Sequence, residues 1–291
     1  DITKLPELKW STEIAGHITK RASAETGLPF GIPVTVGTID AAAEAISVGV
    51  RQAGDMMVMY GSTMFFIGLC EGNKSEKSLW SAPWLFENEF ALMAGTSTSG
   101  TITQWFKKEF AKDLDSEEAL QVLSVMAEKS PIGSKNLITL PYFSGERTPI
   151  QDPNACGIIF GLNLTHKRED IYRSIIEGIS YGASHIIETF MRSDFIPKKL
   201  FAVGGGVKNK IWTSSISNIS SLSQELKSKT IGASYGNSFL AALSLGDVDI
   251  SDIDSWNKTN QVINPKPSMI YKKQFKIFKK LYENNKELFS Q

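Results

Sequence analysis

This sequence of 291 residues contains few cysteines and histidines and carries no net charge. Its two cysteines, Cys70 and Cys156, have no metal-type spacing and are too few for a disulfide-stabilised scaffold. The three histidines, His17, His166 and His185, form no metal-binding set. Basic and acidic residues both number 31, so the net charge is zero. Nucleic acids and anionic membranes usually need a basic surface, so neither is expected as a partner.

The sequence also lacks a long hydrophobic run. The most apolar stretch without charge, residues 56–70, is too short to span a bilayer and is interrupted by Gly61, Ser62 and Thr63. No signal peptide is visible, and we expect a cytoplasmic protein. The first residue is Asp1 rather than methionine, so we expect a fragment or a cleaved product. A chain of this length predicts one large or two medium domains.

The sequence does contain an alternation of β-branched and helical segments. A β-branched run over 32–36 precedes a helix that begins at Asp40, and a hairpin with residues 61–63 at its tip comes next. A strand over 200–203 leads into the glycines 204–206. Helices are predicted over 99–112, 115–130 and 167–191, from about 209, over 234–245 and at the C-terminal end. This order predicts an α/β fold with a mixed sheet flanked by helices.

Three short segments are candidate ligand sites, and each has a purely structural alternative. Glycines 204–206 let a flat ligand lie against bare backbone, but they also suit a tight strand–helix turn. A dinucleotide-binding fingerprint is not matched, because Asn209 stands where its third glycine is required. Asp40 follows a strand and either contacts a ligand or only caps a helix. The tip 61–63 either holds phosphate or is a simple turn, and Gln104 by itself fits a solvated helix position.

Residues 157–177 carry the most specific pattern in the chain. The matching positions are Gly157, Ile159, Gly161, Leu162, Asp170, Ile171, Ser174, Ile175, Ile176 and Glu177. This pattern resembles the second signature of the FGGY family of carbohydrate kinases. Other segments resemble family motifs in the same order, so the resemblance covers essentially the whole chain. It implies an actin-like (ribonuclease H-like) fold, in which two domains enclose a cleft.

The resemblance implies that this chain is the later part of a two-domain sugar kinase. Residues 1–45 would be the tail of the first domain and carry the catalytic aspartate. Residues 46–291 would form the second, nucleotide-binding domain. The first domain's phosphate-binding loop and most of the sugar contacts would lie outside the chain. The resemblance also implies ATP and Mg²⁺ as cofactors, with the metal ligands unassigned, a sugar as substrate, and a homodimer as one expected assembly.

The resemblance assigns roles to individual residues. Asp40 matches the catalytic base, which accepts the proton of the sugar hydroxyl during phosphoryl transfer. The nucleotide-binding candidates are Gly61, Ser62 and Thr63 of the phosphate hairpin, Gly100 and Gln104 at a helix start, and Gly205, Gly206 and Asn209 of the adenosine motif. Outside these motifs, Glu146 and Arg147 are expected to form a local ion pair that fixes a loop.

The expected activity is ATP-dependent phosphorylation of a sugar hydroxyl. A ketopentose such as xylulose is the expected substrate, and gluconate, ribulose and glycerol are the alternatives. Two other classes of protein stay open. One is a nucleotide-binding module that has no kinase activity without the first domain. The other is an NAD-dependent oxidoreductase built on the glycine triplet, which the missing third glycine disfavours.

Overall fold

The computed structural model describes residues 1–114 and 118–290. Within these residues the strands are β1 (Ile14–His17), β2 (Pro33–Thr35), β3 (Asp55–Tyr60), β4 (Met64–Glu71), β5 (Trp80–Pro83), β6 (Glu89–Gly95), β7 (Ile138–Leu140), β8 (Ile158–Phe160), β9 (Lys199–Val203), β10 (Gln224–Lys227) and β11 (Thr259–Ile263). The α-helices are α1 (Lys20–Thr26), α2 (Asp40–Ser47), α3 (Gly100–Phe110), α4 (Ala119–Glu128), α5 (Arg168–Arg192), α6 (Lys210–Ser220), α7 (Ala233–Ser244), α8 (Ile253–Trp256) and α9 (Met269–Asn285).

Seven strands form one mixed sheet in the order β11-β10-β9-β3-β4-β6-β5. The neighbours β3, β9 and β10 are parallel, and the other pairs are antiparallel. The mixed sheet and the β3–β4 hairpin agree with the sequence-based prediction. β1 and β2 form a separate two-stranded ribbon, and β7 pairs with β8. Asp40 follows a strand, as predicted, but this strand belongs to the small ribbon and not to the main sheet.

Both faces of the main sheet are covered by helices. Met56, Val58 and Tyr60 of β3 pack into a core with α3, α4, α5 and α6. Met57, which points the other way, packs with α2 and α7. Because successive side chains of a strand point to opposite faces, an almost uninterrupted apolar strand such as β3 is buried on both sides.

Helix α5 is buried along most of its length. Most of its residues between Asp170 and Phe190 are buried, including serines and glycines. It contacts α3, α4 and α6 and, on another side, β7 and α9. At Gly178 a Cβ atom would lie only 2.3 Å from the Thr139 carbonyl oxygen, so the absence of a side chain there allows β7 to approach the helix.

The acidic residues of the 157–177 signature have structural partners. Glu177 is buried and accepts hydrogen bonds from Ser134 Oγ (2.7 Å) and Arg173 Nε (2.9 Å). Asp170 is buried and accepts a hydrogen bond from Ser130 Oγ (2.7 Å). These bonds hold the loop before β7 against α5. The most specific part of the sequence pattern therefore encodes packing of the central helix.

Most predicted helix positions are confirmed. The helices predicted over 99–112, 167–191 and 234–245 appear as α3, α5 and α7, with ends shifted by one or two residues. The predicted start of the next helix at Asp115 lies outside the described residues, and α4 is observed from Ala119. Across the described part of the chain, no helix combines the length and apolar character needed to cross a membrane.

Candidate functional site

A cavity of about 460 Å³ opens between helices α3–α6 and the glycine turn that follows β9. It is lined by Thr103, Glu118, Leu120, Gln121, Ser124, Tyr172, Gly205, Gly206, Lys208, Asn209 and Trp212. Its volume is in the range of small-molecule sites, roughly 300–1,000 Å³. Three predicted residues, Gly205, Gly206 and Asn209, thus lie together on one wall.

The structure gives a different explanation for the glycine at each of the three positions of the turn. Gly204 has φ = 91°, and a Cβ there would lie 2.6 Å from the Tyr60 carbonyl oxygen. A Cβ on Gly206 would lie 2.6 Å from the Trp212 ring. A Cβ on Gly205 would meet nothing within 4 Å. The fold therefore requires Gly204 and Gly206, whereas no neighbouring atom requires a glycine at position 205, which leaves bare backbone at the cavity.

Asn209 joins the glycine turn to two helices. It is the N-cap of α6, and its Oδ1 accepts a hydrogen bond from the Trp212 N–H (3.1 Å). Its Nδ2 donates to Ser124 Oγ of α4 (3.1 Å). The side-chain amide thus fixes one wall of the cavity against another, in the capping role that asparagine often has. Direct contact of Asn209 with a nucleotide stays a prediction.

Tyr172 of α5 lines one side of the cavity with its phenol group. Burial raises the pKa of Tyr172 to about 12, although hydrogen bonding with Ser124 and Thr103 opposes that rise. Tyr172 therefore keeps its proton at neutral pH. Together with the Ser124 hydroxyl, it gives the cavity uncharged hydrogen-bonding groups of the kind that recognise a nucleobase or ribose.

The hairpin tip between β3 and β4 is fastened to the start of α3. The Ser99 N–H donates to the Ser62 carbonyl oxygen (2.9 Å), and the Gly100 N–H donates to the Gly61 carbonyl oxygen (3.1 Å). A Cβ on Gly100 would lie 2.5 Å from that Gly61 oxygen, so Gly100 allows the close contact. Within residues 1–114 and 118–290, the N–H and hydroxyl groups of Ser62 and Thr63 have no hydrogen-bond acceptor. These donors are available to phosphate oxygens.

Gln104 differs from the other nucleotide-binding candidates in its position. It is exposed on α3 and is not part of the cavity wall, whereas its neighbour Thr103 is. Its contact with nucleotide stays a prediction. Sequence reasoning missed Thr103, Ser124, Tyr172 and Trp212. These residues come from four helices that are far apart in sequence, so no local pattern connects them.

Asp40 is exposed at the first position of α2. The N-cap residue is Ile39, and Asp40 Oδ1 accepts only the adjacent Ala41 N–H (2.7 Å). The alternative that Asp40 acts as a helix cap is therefore wrong. Helix α2 packs on the sheet face opposite to the cavity, and the hairpin tip lies at the sheet end. The role of Asp40 as catalytic base stays a prediction.

The ion pair expected between Glu146 and Arg147 is not formed among the described side chains. The Arg147 guanidinium donates to the Thr96 carbonyl oxygen. Glu146 Oε1 accepts two backbone hydrogen bonds, from the Ser97 and Arg147 N–H groups (2.7 Å each). Burial raises the pKa of Glu146 to about 7, and the two N–H donors and the Arg147 charge only partly oppose that rise.

Metal-binding capacity is limited in the part of the chain described here. No three histidine, cysteine, aspartate or glutamate side chains of the described residues converge on a point that could hold a metal ion.

The main sheet and its flanking helices define an actin-like α/β domain, with a bare glycine turn at a cavity beside the sheet. Residues 56–245 match the family model for the C-terminal domain of the FGGY family of carbohydrate kinases. The chain belongs to this family and contains that domain.

Curated relatives support the same conclusion. The chain is 27% identical to a xylulose kinase of Bacillus subtilis over 291 residues, which cover 97% of this chain and 57% of the relative. It is 27% identical to a ribulokinase of Mycolicibacterium smegmatis over 278 residues, which cover 89% of this chain and 48% of the relative. The chain therefore spans about half the length of the curated relatives it matches.

Solved structures share the fold. A xylulose kinase from Rhodospirillum rubrum has a TM-score of 0.91 at 26% identity, over 99% of this chain and 58% of that chain. A glycerol kinase from Plasmodium falciparum, solved with ADP, has a TM-score of 0.84 at 23% identity, over 99% of this chain and 56% of that chain. These likenesses confirm the predicted fold.

Proposed function

We propose that this chain is the nucleotide-binding part of an ATP-dependent sugar kinase. The observation that carries the proposal is Gly205, whose bare backbone borders the cavity although the fold itself does not require a glycine there. An adenosine lying against this backbone would have its phosphates near the hairpin tip, where the donors of Ser62 and Thr63 have no acceptor among the described residues. Asp40 would accept the proton of the sugar hydroxyl as the phosphoryl group transfers.

The cavity residues would bind and orient the nucleotide without taking part in bond making. Gly205 and Gly206 would support the base, and Ser124 and Tyr172 would offer hydroxyls to the base or ribose. The hairpin donors would hold the phosphates and favour the charge that develops on them during transfer. Mg²⁺ bound with the phosphates would supply charge neutralisation.

A ketopentose is the proposed sugar, with xylulose first. Xylulose kinases of Bacillus subtilis and of Staphylococcus epidermidis are the first curated relatives and cover 97% of this chain. Ribulose, gluconate and glycerol are the alternatives, because a ribulokinase, a gluconokinase and a glycerol kinase are also among the similar proteins. Residues 1–45 are proposed to belong to the first domain. The boundary at residue 45 falls inside α2, which packs on α7, so Asp40 would lie where the two domains meet. Cytoplasmic localisation and a homodimer remain part of the proposal.

Nucleotide binding is tested with Gly205→Ala. Because the added methyl would enter open space at an ordinary φ, we expect unchanged stability and at least about tenfold weaker ADP binding in calorimetry. Gly16→Ala is the matched control, because a Cβ there also meets nothing within 4 Å and lies far from the cavity in β1. Equal ADP affinity in the two variants would overturn the placement of the nucleotide.

Catalysis is tested with Asp40→Asn in a protein that carries both kinase domains. Loss of a general base typically costs about 10²–10⁴ in rate, so we expect that loss in kcat for xylulose with unchanged ADP affinity. A near-normal kcat would exclude Asp40 as the base.

Protection from thermal unfolding by NAD rather than by ATP would favour the oxidoreductase alternative. Tight nucleotide binding with no phosphorylation of any sugar, even with the first domain present, would favour a binding module.

A further inference from the structure

Another cavity, of about 360 Å³, lies at the edge of the main sheet formed by β9, β10 and β11. Among the described residues its lining is entirely polar, formed by Lys199, Glu225, Lys227, Asp254, Lys258 and Thr259. Leu200 and Leu226 pack into the core on the side of the nucleotide cavity. Because successive side chains of a strand alternate, their neighbours Lys199 and Lys227 point to the opposite face. The sheet therefore separates this lysine-lined cavity from the nucleotide cavity.

Lys227 is the most constrained cation of the lysine-lined cavity. Its side chain is only 5% exposed, and its ammonium group donates to Thr259 Oγ1 (3.1 Å) and lies 3.5 Å from Glu225 Oε2. The same group lies 5.0 Å from the centroid of the Phe201 ring. The Thr259 hydroxyl in turn donates to Glu225 Oε2 (2.7 Å). Lysine is rarely buried unless it is paired, and these contacts hold its charge at a fixed place in the cavity wall.

A β-bulge in β11 brings Thr259 to this lysine. Leu226 pairs with Gln261, so a regular antiparallel register would place Asn260 opposite Lys227. The register shifts at this point, and Thr259 is the residue that lies opposite Lys227. Bulges often re-aim a side chain beside a functional site. The backbone therefore leaves the regular ladder at the residue that orients the buried cation.

Both acidic side chains of the lysine-lined cavity already have cationic partners. Glu225 pairs with Lys227. One oxygen of Asp254 lies 2.5 Å from a guanidinium nitrogen of Arg51, which is outside the cavity lining. The two acids therefore neutralise Lys227 and Arg51, and neither is paired with one of the two remaining lysines.

Lys199 and Lys258 give the cavity positive charge without a paired acid. In the part of the chain that the structure describes, their ammonium groups have no hydrogen-bond or ion-pair partner. Burial raises the pKa of Asp55, and the Lys199 charge is one of the effects that oppose this rise. The Asp55 carboxylate, however, accepts hydrogen bonds from the Arg51 and Gln52 N–H groups (3.2 Å each) and not from Lys199. Two unpaired cations beside a buried third one favour an anion in the cavity.

We propose that the lysine-lined cavity binds a small phosphorylated metabolite, a phosphate monoester that Lys199, Lys227 and Lys258 recognise. Lysine binds phosphate as a point charge, and a volume of about 360 Å³ is in the range of small-molecule sites. A nucleic acid or an anionic membrane is disfavoured, because the chain carries no net charge and the lysines line a cavity rather than an extended surface. The site does not depend on the proposed function, because none of its residues is assigned to the nucleotide or to catalysis.

The test is calorimetric titration of the chain with D-ribose 5-phosphate and with inorganic phosphate, in saturating ADP, which fills the proposed nucleotide site. We expect saturable binding of the ester that weakens about tenfold or more in the double variant Lys199→Gln, Lys258→Gln. Inorganic phosphate should bind more weakly than the ester, because the ester also contacts the rest of the cavity. The double variant Lys272→Gln, Lys273→Gln is the matched control, since it removes the same charge from exposed positions of α9 and should bind as the parent chain does.

Glu225→Gln should change the affinity in the opposite direction. It removes the negative charge that competes for the buried Lys227 and keeps an acceptor for the Thr259 hydroxyl. Binding of the ester should therefore tighten about threefold or more. A merely structural role of these side chains would not give opposite changes in affinity for the two kinds of variant.

Four results would overturn the assignment. They are no saturable binding of the ester below about 10 mM, unchanged affinity in the double variant of Lys199 and Lys258, weaker binding in Glu225→Gln, or inorganic phosphate binding as tightly as the ester. ADP titration separates this proposal from the proposed function. Competition between ADP and the ester refutes the separate site, whereas lysine-dependent binding of the ester by a chain that does not bind ADP refutes only the nucleotide site.

Discussion

Glu146 should make the stability of this chain depend on pH in a specific window. The side chain is 4% exposed, and burial raises its pKa from 4.5 to about 7. The folded chain therefore binds this proton at pH values where the unfolded chain has released it. Because the folded state then holds more protons than the unfolded state, the free energy of unfolding falls as pH rises from about 4.5 to about 7.

The size of the effect follows from the two pKa values. Each unit of difference corresponds to about 1.4 kcal/mol, so ionised Glu146 costs the folded state about 3 kcal/mol above the window. Glu146→Gln mimics the protonated side chain and retains an acceptor for the Ser97 and Arg147 N–H groups. We expect the variant to match the parent chain near pH 4 and to be about 3 kcal/mol more stable near pH 8.

The assay is urea unfolding, followed by circular dichroism, at a series of pH values for both proteins. The difference between the two free energies of unfolding removes the contributions of all other titrating groups, as long as both transitions are two-state. Exposed Glu128→Gln is the matched control for replacing a glutamate by glutamine at the surface. A flat difference for Glu146→Gln, or one that favours the parent chain at high pH, would refute the reasoning.

Three further changes test how the fold holds the site. Gly206→Ala places a methyl 2.6 Å from the Trp212 ring and should lower the free energy of unfolding in urea by about 1–3 kcal/mol. An unchanged midpoint of the urea transition would contradict this close packing. Asn209→Ala removes the N-cap of α6 and should lower the stability measured by thermal unfolding by about 1 kcal/mol. Asn209→Asp keeps the acceptor for the Trp212 N–H and should lower the stability by less in the same measurement. Arg173→Ala leaves the Glu177 carboxylate buried without its charged partner and should cost about 3–5 kcal/mol, so a small loss in calorimetry would argue against that ion pair.

Several site features were predictable because they are encoded locally. A strand followed by three glycines and a helix predicts a turn with bare backbone, and the turn is found at the cavity. A hydroxyl-rich tip between two apolar runs predicts a hairpin, and residues 61–63 form it. The 157–177 pattern pointed to the family, although its buried acids, Asp170 and Glu177, turn out to hold a loop rather than a ligand.

Other features depend on contacts between residues that are distant in sequence. The helical position of Gln104 was predicted, but the packing of α3 directs Thr103 to the cavity and leaves Gln104 exposed. The expected pairing of Glu146 with its neighbour Arg147 was wrong, because Thr96, about fifty residues earlier, accepts from the guanidinium. Local spacing reports which residues can share a face, but not what lies opposite that face.

The sequence by itself determined the α/β class, the family and the order of the motifs, because apolar periodicity, turn residues and short signatures are properties of consecutive residues. The tertiary structure decided which groups are available for chemistry. It showed that Gly205 is the glycine the fold does not need and that burial raises the pKa of Glu146. It also showed that the donors of Ser62 and Thr63 meet no acceptor in the described part of the chain. Each of these properties comes from burial and from neighbours across the fold, which are fixed only when the chain has packed.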